Sequence, residues 1–239
     1  MTDFLAAADR TLLERNGLAD FDALWALQLE AVDEPNTSGG GWSSVFRLDL
    51  EGQGFYLKRQ NNYLTRTLYS PLGEPSFARE FRNIQRYQQM GIPALDAVFF
   101  GERKAPGERR AILMTRALDG WNDLDSLLEQ WPQLTAEQQQ KILQACGQLA
   151  RRLHAARQVH GCFYPKHIFL QPEGSGYRAQ LIDLEKPGLC CWVSVTGSRI
   201  SSPCCAGPGS GPRPRCAPCL PRIWSNRSTV AWLRRGFAA

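Results

Sequence analysis

Between His160 and Lys186 the chain reads His160-Gly161-Cys162-Phe163-Tyr164-Pro165-Lys166-His167-Ile168-Phe169-Leu170, then a Pro-Glu-Gly-Ser-Gly turn at 172–176, then Tyr177-Arg178-Ala179-Gln180-Leu181-Ile182-Asp183-Leu184-Glu185-Lys186. The two apolar runs predict a β-hairpin, with the turn residues supplying the reversal. An acidic residue that ends an apolar strand, opposite a polar loop, is a good place for Mg²⁺. That ion takes one or two carboxylates and leaves its other positions to water and phosphate. The hairpin follows a predicted helix over 136–156, whose Ile142, Leu143, Cys146, Leu149 and Leu153 fall on one stripe.

Working toward the N-terminus, Leu124, Leu127 and Leu128 open another helical stretch. Strands are predicted at 97–101 and 110–115, separated by the turn Lys104-Ala105-Pro106-Gly107-Glu108. Residues 76–90 read as a helix through Phe77, Phe81, Ile84 and Tyr87, with Pro75 before it and Gly91-Ile92-Pro93 after. Two further strands, 44–50 and 54–59, flank the short connection Glu51-Gly52-Gln53. Residues 2–30 read as short helices, with Thr2 or Asp3 capping the first and Asp20 the second. The fold class is α+β: a small antiparallel sheet carrying one long helix, then a mostly helical part.

Composition excludes several functions. The mean hydropathy is −0.34, and there is no uncharged apolar run of about 18 residues, so no transmembrane helix is expected. The N-terminus lacks a secretory pattern. The net charge of +5 invites a nucleic-acid reading, but residues 1–186 hold all 23 acidic side chains, and seven Arg lie beyond them. The body is therefore slightly acidic, which argues against a nucleic-acid partner.

Residues 187–239 contain no Asp, Glu or Lys, but six of the eight Cys: Cys190, Cys191, Cys204, Cys205, Cys216 and Cys219. They read either as a disordered basic extension or as the product of a frame shift after Lys186. A permissible back-translation read two bases along encodes a mixed-charge, helix-forming peptide without a stop. Zinc binding through Cys216-Ala217-Pro218-Cys219 is disfavoured, because the second pair it would need, Cys204-Cys205, is adjacent in sequence.

Four features of the body carry chemistry. Ser38-Gly39-Gly40-Gly41-Trp42-Ser43 can approach phosphate oxygens with backbone amides. Lys58, within Tyr56-Leu57-Lys58-Arg59-Gln60, can hold a point charge against phosphates. Glu80, within Arg79-Glu80-Phe81-Arg82, can pair with Lys58. The fourth is the loop and Asp183 with which the reading began.

In this order and spacing, with Gly91-Ile92-Pro93 and Leu153-His154-Ala155, the blocks resemble the bacterial lipopolysaccharide kinase (Kdo/heptose kinase) family, in its InaA-like branch, over roughly residues 15–186. The resemblance implies a protein-kinase-like two-lobe fold: an N-lobe over 1–115, a truncated C-lobe over 116–186, and an irregular tail over 187–239. It implies ATP and Mg²⁺ as cofactors and a sugar of the lipopolysaccharide core as acceptor. The location implied is cytoplasmic, at most peripheral to the inner membrane. Gly39, Gly40, Gly41, Trp42 and Ser43 would cover the phosphates, and Lys58, held by Glu80, would contact them. Met114 to Ala117 would form the hinge against adenine, and Asp183 would bind Mg²⁺ with His167 standing beside it.

One departure matters. The His-Arg-Asp of the kinase catalytic loop corresponds to His160-Gly161-Cys162, so Cys162 replaces the carboxylate that takes the acceptor proton. A thiol with a reference pKa of roughly 8.5 is a poor substitute. Phosphoryl transfer depends largely on positioning and charge neutralisation, so the loss need not abolish turnover. Two functions are therefore expected: a sugar kinase, or a nucleotide-binding pseudokinase with a regulatory role.

Overall fold

The computed structural model describes residues 3–38, 40–67, 70–185 and 187–189. Gly39 and Lys186, like the tail from Cys190, lie outside the described residues.

The chain opens with strand β1 (Phe4–Leu5) and the short helices α1 (Arg10–Arg15) and α2 (Phe21–Ala26). Asp20 caps α2 by accepting from the Ala23 amide, as its position predicts. The expected cap at Thr2 or Asp3 is not what organises the first helix. It begins at Arg10, and Asp3 instead pairs with Arg103 across the sheet at 2.7 Å. Strands β2 (Asn36–Ser38), β3 (Gly41–Leu50) and β4 (Gln53–Asn61) follow. Glu51 and Gly52 join β3 to β4 with both φ angles positive, 50° and 79°, the geometry that matches hairpin twist. A small hairpin, β5 (Leu64–Thr67) and β6 (Ser70–Pro75), leads into helix α3 (Ser76–Gln89). Strands β7 (Ala97–Ala105) and β8 (Glu108–Arg116) close on the two-residue turn Pro106-Gly107.

These strands form a six-stranded sheet in the order β1-β7-β8-β4-β3-β2. The pairings that place the site are antiparallel: Val45 opposite Lys58, and Lys58 opposite Leu113. Side chains alternate across the sheet, so one face carries Lys58 and Leu113, and the other carries Leu57 and Met114. The second face is buried under α1 and α2, in a core that joins Leu13, Phe21 and Leu24 to Phe46, Phe55, Leu57 and Met114.

The rest of the chain packs beneath the first face. Strand β9 (Asn122–Asp123) runs into α4 (Leu124–Glu129), and α5 (Ala136–Ala155) starts at a capping box between Thr135 and Gln138. Strand β10 (Gln158–His160) precedes the loop over 161–164. The predicted hairpin appears as β11 (Ile168–Glu173) and β12 (Gly176–Leu181). Residues 163–167, expected to belong to its first strand, form instead a loop and a 3-10 turn over Pro165–His167, because Pro165 has no amide to donate to a ladder. Strand β13 (Pro187–Leu189) pairs antiparallel with β10, so these three residues correct the expectation of an irregular tail starting at 187. The stripe of α5 is buried as its spacing predicts, with Ile142, Leu149 and Leu153 in a core that also takes Phe77, Ile84, Leu113, Leu181 and Leu184.

Candidate active site

Strand β4 aims Lys58 at α3, and Glu80 on α3 meets it. Lys58 Nζ donates to Glu80 Oε1 at 2.6 Å, with the Lys58 side chain 17% exposed and Glu80 fully buried. Burial pushes the Lys58 ammonium toward losing its proton, but attraction to Glu80, their hydrogen bond and the fields of Glu185 and Asp183 outweigh it. Its pKa is raised. Two consequences follow: Lys58 is a cation at any physiological pH, and Asp183 lies within its electrostatic reach. The Phe77 ring lies 5.9 Å from the ammonium. The second oxygen of Glu80 is buried without a hydrogen-bond partner.

Helix α3 also reaches the Asp183 segment. Asn83, three residues beyond Glu80, donates to the carbonyl of Leu184 at 2.8 Å. One helix thus touches both Lys58 and the residue after Asp183. Asp183 itself has φ of 57°, a left-handed conformation that is costly for a residue with a side chain and clusters at functional sites.

The loop over 160–167 is wired to Asp183 through two histidines. The Cys162 amide donates to His160 Nδ1 at 3.3 Å, so that nitrogen carries the lone pair. Nε2 of His160 therefore bears the hydrogen and donates to the Ile182 carbonyl at 2.9 Å. Burial holds the pKa of His160 below its ordinary value, the neutral form that this pattern requires. His167 Nδ1 lies 2.8 Å from the Cys162 carbonyl, which can only accept, so Nδ1 is its protonated nitrogen. The same nitrogen is 3.6 Å from Asp183 Oδ2.

The glycine-rich segment is placed differently from its sequence reading. Gly41, Trp42 and Ser43 are strand residues, paired with β2 on one side and, at Trp42 and Ser43, with β4 on the other. Their backbone belongs to a ladder rather than an open nest. The Gly40 turn, with φ of 81°, is the described part of the segment outside it. Gly41 has a packing reason for being glycine, since a Cβ there would run into the backbone of Asn62 and Tyr63. The Trp42 ring packs 5.9 Å from Trp25, on the face away from Lys58.

The linker after β8 shows a similar shift. Met114 is fully buried on the face covered by α1 and α2, and the Ala117 amide is committed to the Gly54 carbonyl at 2.9 Å. The Ala117 amide is thereby spent within the chain. Sequence reasoning missed the ion pair that crosses this edge. Arg47 on β3 binds Asp119 through two hydrogen bonds of 2.8 Å and lies 5.5 Å from the Tyr56 ring centroid. It also missed Asn83, although a polar residue three places after Glu80 shares its helix face.

Among the described residues no three His, Cys, Asp or Glu side chains gather as a metal cage. Asp183 offers one carboxylate, which suits Mg²⁺, an ion that keeps several waters and takes phosphate oxygens; the His167 nitrogen facing it carries a hydrogen and is not a ligand. Cys146 is no nucleophile, since burial pushes its thiol up to about 12. No helix among the described residues is long and apolar enough to cross a membrane.

A family model described as the lipopolysaccharide kinase (Kdo/WaaP) family matches residues 22–191. Protein InaA of Escherichia coli is 30% identical over 169 residues, covering 70% of this chain and 78% of that protein. The lipopolysaccharide core heptose(I) kinase WaaP of Pseudomonas aeruginosa is 22% identical over 183 residues, covering 72% of this chain and 66% of that protein. A solved structure of WaaP in complex with acyl carrier protein superposes with a TM-score of 0.57 at 22% identity, over 79% of this chain and 73% of that one. That likeness supports a kinase-like fold.

Proposed function

The chain belongs to the lipopolysaccharide kinase (Kdo/WaaP) family, and from that premise we propose that it binds ATP with Mg²⁺ and phosphorylates a sugar of the lipopolysaccharide core. The observation that carries this reading is the Lys58–Glu80 pair at 2.6 Å with Asp183 in the same electrostatic neighbourhood. Lys58 would contact the nucleotide phosphates, and Glu80 would keep its ammonium in place. Asp183, with His167 beside it, would hold the metal. Mg²⁺ bound there supplies neutralisation of phosphate charge. Residues 1–115 and 116–186 then act as N-lobe and C-lobe, with the nucleotide between them. With that acceptor the protein would work in the cytoplasm, at most as a peripheral contact of the inner membrane.

Cys162 favours a second reading, a nucleotide-binding pseudokinase with a regulatory or stress-related role. Its backbone is held by His160 and His167 where a kinase presents its acid–base carboxylate, yet its side chain is a thiol. Phosphate transfer from γ-labelled ATP to lipopolysaccharide core, measured for the full chain and for Asp183→Ala, separates the two. Transfer that disappears in the variant supports the kinase. Nucleotide-dependent thermal stabilisation without transfer supports the pseudokinase. Neither stabilisation nor transfer overturns both.

A further inference from the structure

Helix α3 begins without a cap of its own. Its N-cap residue is Pro75, which offers no side-chain acceptor to the first-turn amides. Such orphan N–H groups need a partner when buried, and here it arrives from β4. Gln60, fully buried, accepts at Oε1 from the Phe77 amide at 3.0 Å and from Ser76 Oγ at 3.0 Å, while its Nε2 donates to the Tyr63 carbonyl.

We propose that Gln60 is a positioning residue for the nucleotide site, bolting the first turn of α3 to β4 so that Glu80 stays on Lys58 and Asn83 on the Asp183 segment. Lys58 and Gln60 stand two residues apart on one face of β4, roughly 6–7 Å along the strand. Phe77 and Glu80 are three residues apart on α3, about 4.5 Å along its axis. Strand and helix are therefore joined at two points, Lys58 to Glu80 and Gln60 to Phe77. One strut alone would let the helix pivot, whereas two set its rotation and its height. Phe77 serves both: its amide is held by Gln60 and its ring lies beneath the Lys58 ammonium. The second carboxylate oxygen of Glu80 has no other anchor. A rotation of α3 therefore draws Glu80 off Lys58 with no second hydrogen bond to hold its carboxylate.

The inference rests on the nucleotide reading only for the purpose of holding Glu80; its test needs no nucleotide. In the full chain, the rate at which an N-hydroxysuccinimide ester acylates Lys58 is read by peptide mass spectrometry at fixed pH, together with hydrogen exchange at the Phe77 amide. Gln60→Met, similar in size but unable to accept, is expected to speed Lys58 acylation about tenfold, the size of one pKa unit lost by its ammonium, and to release the amide. Gln60→Glu keeps the acceptor for the Phe77 amide, and with its carboxylate on the Lys58 face of β4 it is expected to acylate no faster than the wild type. Should Gln60→Met fail to fold, Gln60→Asn, one methylene shorter, takes its place with the same expectation. Wild-type acylation in the variant that loses the cap, or equal acceleration in Gln60→Glu, overturns the proposal. Absence of kinase activity in every variant, wild type included, bears only on the proposed function.

Discussion

Lys58 Nζ and Glu80 Oε1 are 2.6 Å apart, and the carboxylate is wholly enclosed while the lysine side chain keeps 17% of its exposure. The two partners are therefore not equivalent to remove. Lys58→Met leaves Glu80 as an unpaired buried charge and should cost about 3–5 kcal/mol. Adding Glu80→Leu removes that charge, and the double variant should be more stable than Lys58→Met alone. Denaturant unfolding at neutral pH checks the order; a double variant weaker than the single one contradicts it.

The glycines of the 39–41 segment should respond for different reasons. Gly41→Ala drives a methyl group into the backbone of Asn62 and Tyr63, which cannot step aside as a side chain can. Gly40→Ala meets no neighbour and bears only the strain of a positive φ, about 1–2 kcal/mol. Thermal melts of the two variants should rank Gly41→Ala as the more damaging.

Acid should loosen the loop through His160. Its folded pKa lies below its ordinary value because it is buried, so the unfolded chain takes up the proton first. The stabilisation is complete above the unfolded value of about 6.5 and declines as pH falls below it. Melting temperatures measured from about pH 7.5 to pH 5.5 should fall in the wild type. His160→Gln should start lower and show a shallower slope over that window. An unchanged slope would assign the acid sensitivity elsewhere.

Asp183 combines a left-handed backbone with its carboxylate. Asn tolerates that conformation, so Asp183→Asn should hold stability within about 0.5 kcal/mol. It should nevertheless lose the Mg²⁺-dependent part of ADP binding, read by calorimetry with and without the metal. Asp183→Val should additionally cost about 1–2 kcal/mol, because a β-branched side chain is strained at φ of 57°.

Cys162→Asp restores a carboxylate at the end of a backbone already held by His160 and His167. If the thiol is what limits transfer, the variant should gain about 10²–10⁴-fold in rate, the usual worth of a placed acid–base group. A labelled-ATP assay on lipopolysaccharide core checks this against wild type.

Much of the fold was legible along the chain. The hairpins at Glu51-Gly52 and Pro106-Gly107, the helix over 76–89 and the stripe of α5 all follow from turn chemistry and periodicity. The strands β2, β9, β10 and β13 were not legible. Each has two or three residues and exists through its partner rather than through a pattern of its own. At the site, the Lys58–Glu80 pairing follows from the motif. The ladder position of Gly41 to Ser43 and the enclosed side of Met114 depend on which sheet face α1 and α2 cover.

By itself the amino-acid order determined the family, the succession of sheet, helix and hairpin, and the identities of the charged residues of the candidate site. These are local matters: spacing, turn residues, and the few side chains whose chemistry suits phosphate. Only the tertiary structure decided that Gln60 would cap a helix sixteen positions away, that Asn83 would hold the carbonyl after Asp183, and that Arg47 would reach Asp119. A buried polar group must find a partner wherever the packed chain places one. That partner is set by which elements meet in space, information that no single stretch of sequence contains.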